Sequence, residues 1–162
     1  MLKAWCKGYF SNWKSVPLKV LNNMEENHNF EHIKELLKNN DLPYEDIIAS
    51  KVRFITEEVN GVLVGCIGLE RYGEEGLLRS FAVKDEYKNK GIGKRLLNQL
   101  IEQGKTDGLK RLHLLTTTAD GYFEKNGFKR SDRAVAPKEI SATKEFSEIC
   151  PSSSVYMILD IQ

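Results

Sequence analysis

The residues most suited to chemistry lie in Lys88-Asn89-Lys90-Gly91-Ile92-Gly93-Lys94-Arg95, where two glycines sit among four cationic side chains. Glycines at this spacing let the backbone pass close to a ligand. The segment that follows carries Ile92, Leu96, Leu97, Leu100 and Ile101 at helical spacing, with Lys94, Arg95, Asn98, Gln99 and Glu102 on the other face. The first N–H groups of such a helix lack intrahelical partners and lie at the positive end of its dipole. Backbone donors, dipole and lysines together make a site for a pyrophosphate. A Walker loop needs a glycine five positions before Gly93, where Lys88 stands. A dinucleotide fingerprint needs one three positions after it, where Leu96 stands. On these residues alone, an ordinary glycine-started helix with a solvated basic end is the competing reading.

The elements needed to hold this loop can be read along the chain. Residues 1–16 carry Trp5, Tyr9, Phe10 and Trp13 without periodicity and form a lead-in; residues 17–162 form a single domain. Residues 18–21 alternate as a first strand. Asn29 offers a cap for a helix through Leu37, and Pro43 stands near the first position of a short second helix. Two apolar runs flank Asn60-Gly61, a pair that tolerates positive φ and predicts a tight hairpin. Gly73-Glu74-Glu75-Gly76 marks the next turn, before a third antiparallel strand over 77–83. The loop helix ends near Gly104, and residues 111–117 form a central strand. A brief helix capped by Thr118 or Asp120 follows, closed by Gly127, then a short strand at 128–130. Pro137 starts a last helix, and 154–159 is the final strand.

Composition narrows the partners. The 162 residues include 24 Lys+Arg and 23 Asp+Glu, a net charge of +1 that provides no general field for nucleic acid or an anionic membrane. The uncharged run at 61–69 falls far short of the roughly 20 residues a membrane helix needs. The first seven residues do not read as a signal peptide. Three cysteines, Cys6, Cys66 and Cys150, lie far apart without metal-ligand spacing, which predicts reduced thiols in a cytoplasmic protein and no metal.

The segment Lys88-Asn89-Lys90-Gly91-Ile92-Gly93 resembles the (Gln/Arg)-x-x-Gly-x-(Gly/Ala) loop of the GNAT acetyltransferases, with Lys88 in place of Arg or Gln. Phe81-Ala82-Val83 stands where that family places the strand that pairs with the pantetheine arm. Phe123-Glu124-Lys125-Asn126-Gly127-Phe128 resembles its aromatic-x-x-x-Gly-Phe ending. The resemblance runs from about residue 18 to 128. It implies an α+β GNAT fold, a mixed, mostly antiparallel sheet of about seven strands with helices on both faces. Leu77-Leu78-Arg79-Ser80-Phe81-Ala82-Val83, Leu114-Leu115-Thr116-Thr117-Thr118-Ala119 and the segment from Ala136 to Ser154 are similar to the arsenic-resistance acetyltransferases. The first two also resemble the acetyltransferase domain of N-acetylglutamate synthases.

These likenesses imply acetyl transfer from acetyl-CoA to the amino group of a small amino-acid-like substrate. They imply cofactor contacts from Phe81, Ala82, Val83, Lys88, Asn89, Lys90, Gly91, Ile92, Gly93, Lys94, Thr117, Phe123 and Lys125. The family's usual acid, a Tyr four residues before the Gly of Gly-Phe, is replaced by Phe123, and its neighbour Tyr122 points about 100° away on a helix. Catalysis then rests on positioning and on backbone donors near Val83. Glu70 is the carboxylate nearest the expected cleft, a candidate base or substrate contact, with a solvated strand-end acid as the alternative. By strand alternation Arg79 shares a face with Phe81 and Val83. Its planar fork suits a substrate carboxylate; a structural ion pair with Glu70 or another acid is the alternative. Ser80 and Thr116 can donate hydroxyl bonds to substrate, or simply reflect strand preference. The missing Tyr leaves room for a second reading, an acyl-CoA-binding sensor or partner module without transfer. The final strand offers an edge for a homodimer.

Overall fold

The computed structural model describes residues 26–47 and 51–161. The lead-in and the strand expected at 18–21 lie outside them, as does Cys6. Helix α1 (Glu26–Lys38) precedes a hairpin of β1 (Arg53–Val59) and β2 (Val62–Tyr72), turned at Asn60 and Gly61 with φ of 53° and 75°. Strand β3 (Glu75–Val83) returns antiparallel to β2, and α2 (Ile92–Thr106) crosses over to β4 (Arg111–Thr116), which is parallel to β3. Short α3 (Asp120–Lys125), β5 (Lys129–Ser131), α4 (Lys138–Ser141), a single π-helical turn at Glu145–Ile149 and β6 (Val155–Asp160) complete the chain. The described residues form one mixed sheet of six strands in the order β1-β2-β3-β4-β6-β5.

Alternation along β2 divides the core. Ile67 and Leu69 join Leu96, Leu97 and Leu100 of α2 on one face. Cys66 turns to the other, against Ile33, Leu36 and Leu37 of α1. Gly65 brings α2 down onto the sheet, since a Cβ there would meet Leu96 Cδ1 at 2.9 Å and Ile92 Cγ2 at 3.0 Å. A third cluster of Leu77, Ile140, Phe146 and Tyr156 lies under α4 and the π-helical turn. Beside it His113 is fully buried, with Nδ1 2.6 Å from the Tyr156 hydroxyl and Nε2 2.6 Å from Glu75.

Three local expectations are corrected. Residues 43–47 are not helical: the chain bends at Glu45 and Asp46, with Asp46 paired to Arg79 and Ile47 packed in the α1 core, and residues 48–50 lie outside the described residues. Helix α3 is capped neither by Thr118 nor by Asp120: Ala119 is its N-cap, and the Ala119 N–H donates to Thr116 Oγ1 at 3.0 Å. Strand β3 also does not alternate regularly. Cys66 pairs with Ala82 but Gly68 with Arg79, so β3 carries one extra residue, and Ser80 takes φ of +53°. Arg79 therefore faces away from Phe81 and Val83, which pack on the α2 side.

Candidate functional site

The β3–β4 pairing defines the site. It covers only Glu75–Leu77 against Arg111–His113; beyond it the strands part. A cleft of about 840 Å³ opens between residues 78–83 of β3 and 114–116 of β4. One end of the cleft is the start of α2. Gly91 is its N-cap in the left-handed region, φ +79°, and has no side chain with which to cap it. The N–H groups of the first turn are thus left to an incoming ligand. A Cβ at Gly93 would stand 3.4 Å from the Phe81 ring and 3.4 Å from the Tyr122 hydroxyl, so this glycine forms part of a narrow aromatic wall. Phe81 meets Phe123 at 6.0 Å and Tyr122 at 6.1 Å between ring centroids.

Most of the residues expected at the cofactor line this cleft: Phe81, Ala82, Val83, Lys88, Asn89, Gly91, Gly93, Lys94, Thr117 and Phe123. Three do not. Ile92 turns into the core, the Lys90 ammonium lies 5.0 Å over the Tyr87 ring, and Lys125 is exposed on α3 away from the cleft. Arg95 folds back to bond the Lys90 carbonyl and pairs with Glu57.

The opposite end of the cleft is built around Arg79. Its guanidinium is buried and binds both Asp46 oxygens, at 2.6 and 2.7 Å, and Glu70 at 2.8 Å. Glu145 lies 3.0 Å away. The geometry is thus that of a structural ion-pair hub, and the two terminal nitrogens that would fork onto a substrate carboxylate are already engaged. Glu70 does not line the cleft: it is sealed between Arg79 and the Tyr72 hydroxyl, which donates to it. Burial, with help from that carboxylate, pushes the Tyr72 hydroxyl above its ordinary pKa. Ser80 and Thr116 do line the cleft.

Sequence reasoning missed Glu145, Cys150 and Ser154, all of which line the same cleft. They come from the stretch around the π-helical turn, whose only signal was its family resemblance. Burial raises the Glu145 carboxyl above its ordinary value, and the Arg79 charge offsets this only in part. The Cys150 thiol donates to Glu145 at 3.4 Å and is pushed up to about 12, by burial first and then by Glu145. Burial likewise lifts Cys66 to about 12. Neither thiol is poised as a nucleophile. Among the described residues no group of three or more His, Cys, Asp or Glu could hold a metal, and no helix is long and apolar enough to cross a membrane.

Comparison with known proteins agrees with this geometry. An Amino-acid acetyltransferase of Photorhabdus laumondii is 32% identical over 87 residues, 52% of this chain but 19% of that protein. An uncharacterized N-acetyltransferase of Chlorobaculum tepidum is 29% identical over 97 residues, 59% of this chain and 62% of its own length. The chain thus spans only part of the relatives it matches. The fold superposes on N-acetylglutamate synthase from Neisseria gonorrhoeae, solved with coenzyme A and N-acetyl-glutamate, with a TM-score of 0.71 at 21% identity, over 82% of this chain and 32% of that one. The sequence model of the Acetyltransferase (GNAT) family matches residues 18–128, and the chain belongs to that family.

Proposed function

We propose that this enzyme transfers an acetyl group from acetyl-CoA to the amino group of a small amino-acid-like substrate. The observation that carries the reading is the cleft itself, which joins an uncapped helix N-terminus to the parted edges of β3 and β4. The α2 amides with Lys88 and Lys94 suit the pyrophosphate of CoA. The pantetheine arm then runs along 81–83, and Phe81 and Phe123 wall the thioester. The names of the relatives support the amino-acid substrate.

The residues at hand favour catalysis by placement. Aligning amine and thioester supplies up to roughly 7–11 kcal/mol. The bulge at Ser80 takes one residue of β3 out of the ladder beside the cleft, which supports the role of backbone donors for the developing oxyanion. Glu70 is shielded by Tyr72 and Arg79, so Glu145 is the better proton acceptor.

A thiol-release screen tests the reading: acetyl-CoA against free amino acids, their phosphonate and arsenical analogues, and control amines. Release that depends on an amino acid is expected. Tight acetyl-CoA binding by calorimetry with no release across the whole panel would instead make the protein a CoA-binding sensor.

A further inference from the structure

Between β5 and β6 the chain joins no strand of the sheet, yet it supplies Glu145, Ile149, Cys150 and Pro151 to the wall of the cleft. Two points of this wall are fixed. Phe146 is 7% exposed and stands edge-on to Tyr156 at 5.4 Å between ring centroids, and Ser154 is 5% exposed at the entry to β6. Between them, no residue from 147 to 153 is buried. A stretch with so little buried surface opens locally at low cost, so its position against the cleft needs a hold of its own.

The backbone supplies only part of that hold. The Cys150 N–H donates to the Glu145 carbonyl at 3.0 Å and closes the π-helical turn. The Phe146 carbonyl, one residue on, would take its π-helical bond from residue 151, and Pro151 has no N–H. Arg133, in the 3₁₀ turn after β5, brings the donor that the proline lacks. Its Nη2 donates to the Phe146 carbonyl at 2.5 Å and its Nη1 to the Pro151 carbonyl at 3.0 Å. The guanidinium also lies 4.6 Å over the Phe146 ring. One planar fork thus ties the open end of the turn, at Pro151, to its anchored end, at Phe146.

We propose that residues 147–153 form a flap over the Arg79 end of the cleft, and that Arg133 is the positioning residue that latches it shut. Glu145, paired with Arg79, belongs to the fixed side. Ile149, Cys150 and Pro151 move with the flap. The other end of the cleft, with Gly91, Lys88 and Lys94, is built from separate segments that the flap does not carry. The latch therefore governs entry of the acetyl acceptor and not of acetyl-CoA. That consequence rests on the acetyltransferase reading; the latch itself does not.

Hydrogen exchange of the Cys150 amide, followed by NMR at several low urea concentrations, tests the flap without turnover. In the unaltered protein this amide should exchange at least tenfold faster than the β4 amides and with little dependence on urea, as local opening requires. Arg133→Lys keeps the charge and gives up the fork, and should speed the Cys150 amide about tenfold further while the β4 amides hold their rates. With an amine identified by the thiol-release screen, the same variant should raise the KM for that amine about fivefold or more and leave the KM for acetyl-CoA unchanged. Cys150 exchange that tracks β4 in the unaltered protein would overturn the proposal. So would an unchanged rate in Arg133→Lys, or a parallel rise in both KM values. A flap that opens as described in a protein that transfers no acetyl group would uphold the latch and reject the transferase reading.

Discussion

Replacing Arg79 with Met removes the guanidinium that pairs with Asp46, Glu70 and Glu145, and this substitution exposes what the hub does. The Arg79 side chain is 2% exposed and its partners 14%, 5% and 11%. Breaking a buried ion pair by deleting one partner costs about 3–5 kcal/mol, because the abandoned charge stays desolvated. Three carboxylates are abandoned here, so the upper end of that range applies at neutral pH. At about 2–4 °C per kcal/mol for a chain near this size, the melting temperature falls by roughly 10–20 °C. The loss must also depend on pH. Without the Arg79 charge that partly offsets it, burial holds the Glu145 carboxyl still further above its unfolded value. A raised carboxyl is penalised when ionised, so the defect is small below the unfolded pKa, near 4, and grows as pH climbs through the raised value. Urea unfolding of parent and variant from pH 4.5 to 8 measures the difference. A gap that is constant with pH, or under about 1 kcal/mol at pH 7.5, would refute the buried hub.

Three further outcomes follow from the same geometry. Gly91→Ala forces a Cβ onto φ +79°, so it should destabilise α2 by about 1–2 kcal/mol and weaken acetyl-CoA binding, read by melting and by calorimetry. Lys88→Ala with Lys94→Ala should weaken acetyl-CoA binding about tenfold or more at low salt and much less at high salt, since both line the phosphate end of the cleft. Acid should loosen the β3–β4 junction: burial lowers His113 from its ordinary 6.5, and Arg111 and His113 together hold Glu75 below its ordinary 4.5. Both groups favour the less protonated form in the fold, so their stability is present above about pH 6.5 and is lost stepwise as pH falls. His113→Gln should flatten the first step in a pH series of unfolding free energies.

What the sequence disclosed was local, and what it concealed was tertiary. The loop at 88–93, the Asn60-Gly61 hairpin and α2 are written in short spacings of glycine and apolar residues, and they appear where those spacings put them. Placement of the cleft followed from the same loop. The Ser80 bulge defeated the reading of Arg79, because strand alternation presumes a regular ladder and a serine carries no mark of positive φ. Arg79 in turn gathers acids from the bend after α1, from β2 and from the π-helical turn, three segments that no spacing relates. Glu145 was invisible for this reason: a glutamate in a short polar helix reads as solvated until the fold buries it against Arg79.

Acetyl transfer to an amine is tested most directly by the fate of the acetyl carbon. Acetyl-CoA labelled with ¹³C in the carbonyl is mixed with the protein and the amino acids that bind it, and followed by NMR. The label is expected to move to an amide on the amino-acid nitrogen, one for each CoA thiol released, and Glu145→Gln to slow this by about a hundredfold or more. A label that stays on CoA, or appears as acetate at the same rate with and without the amino acid, would contradict it.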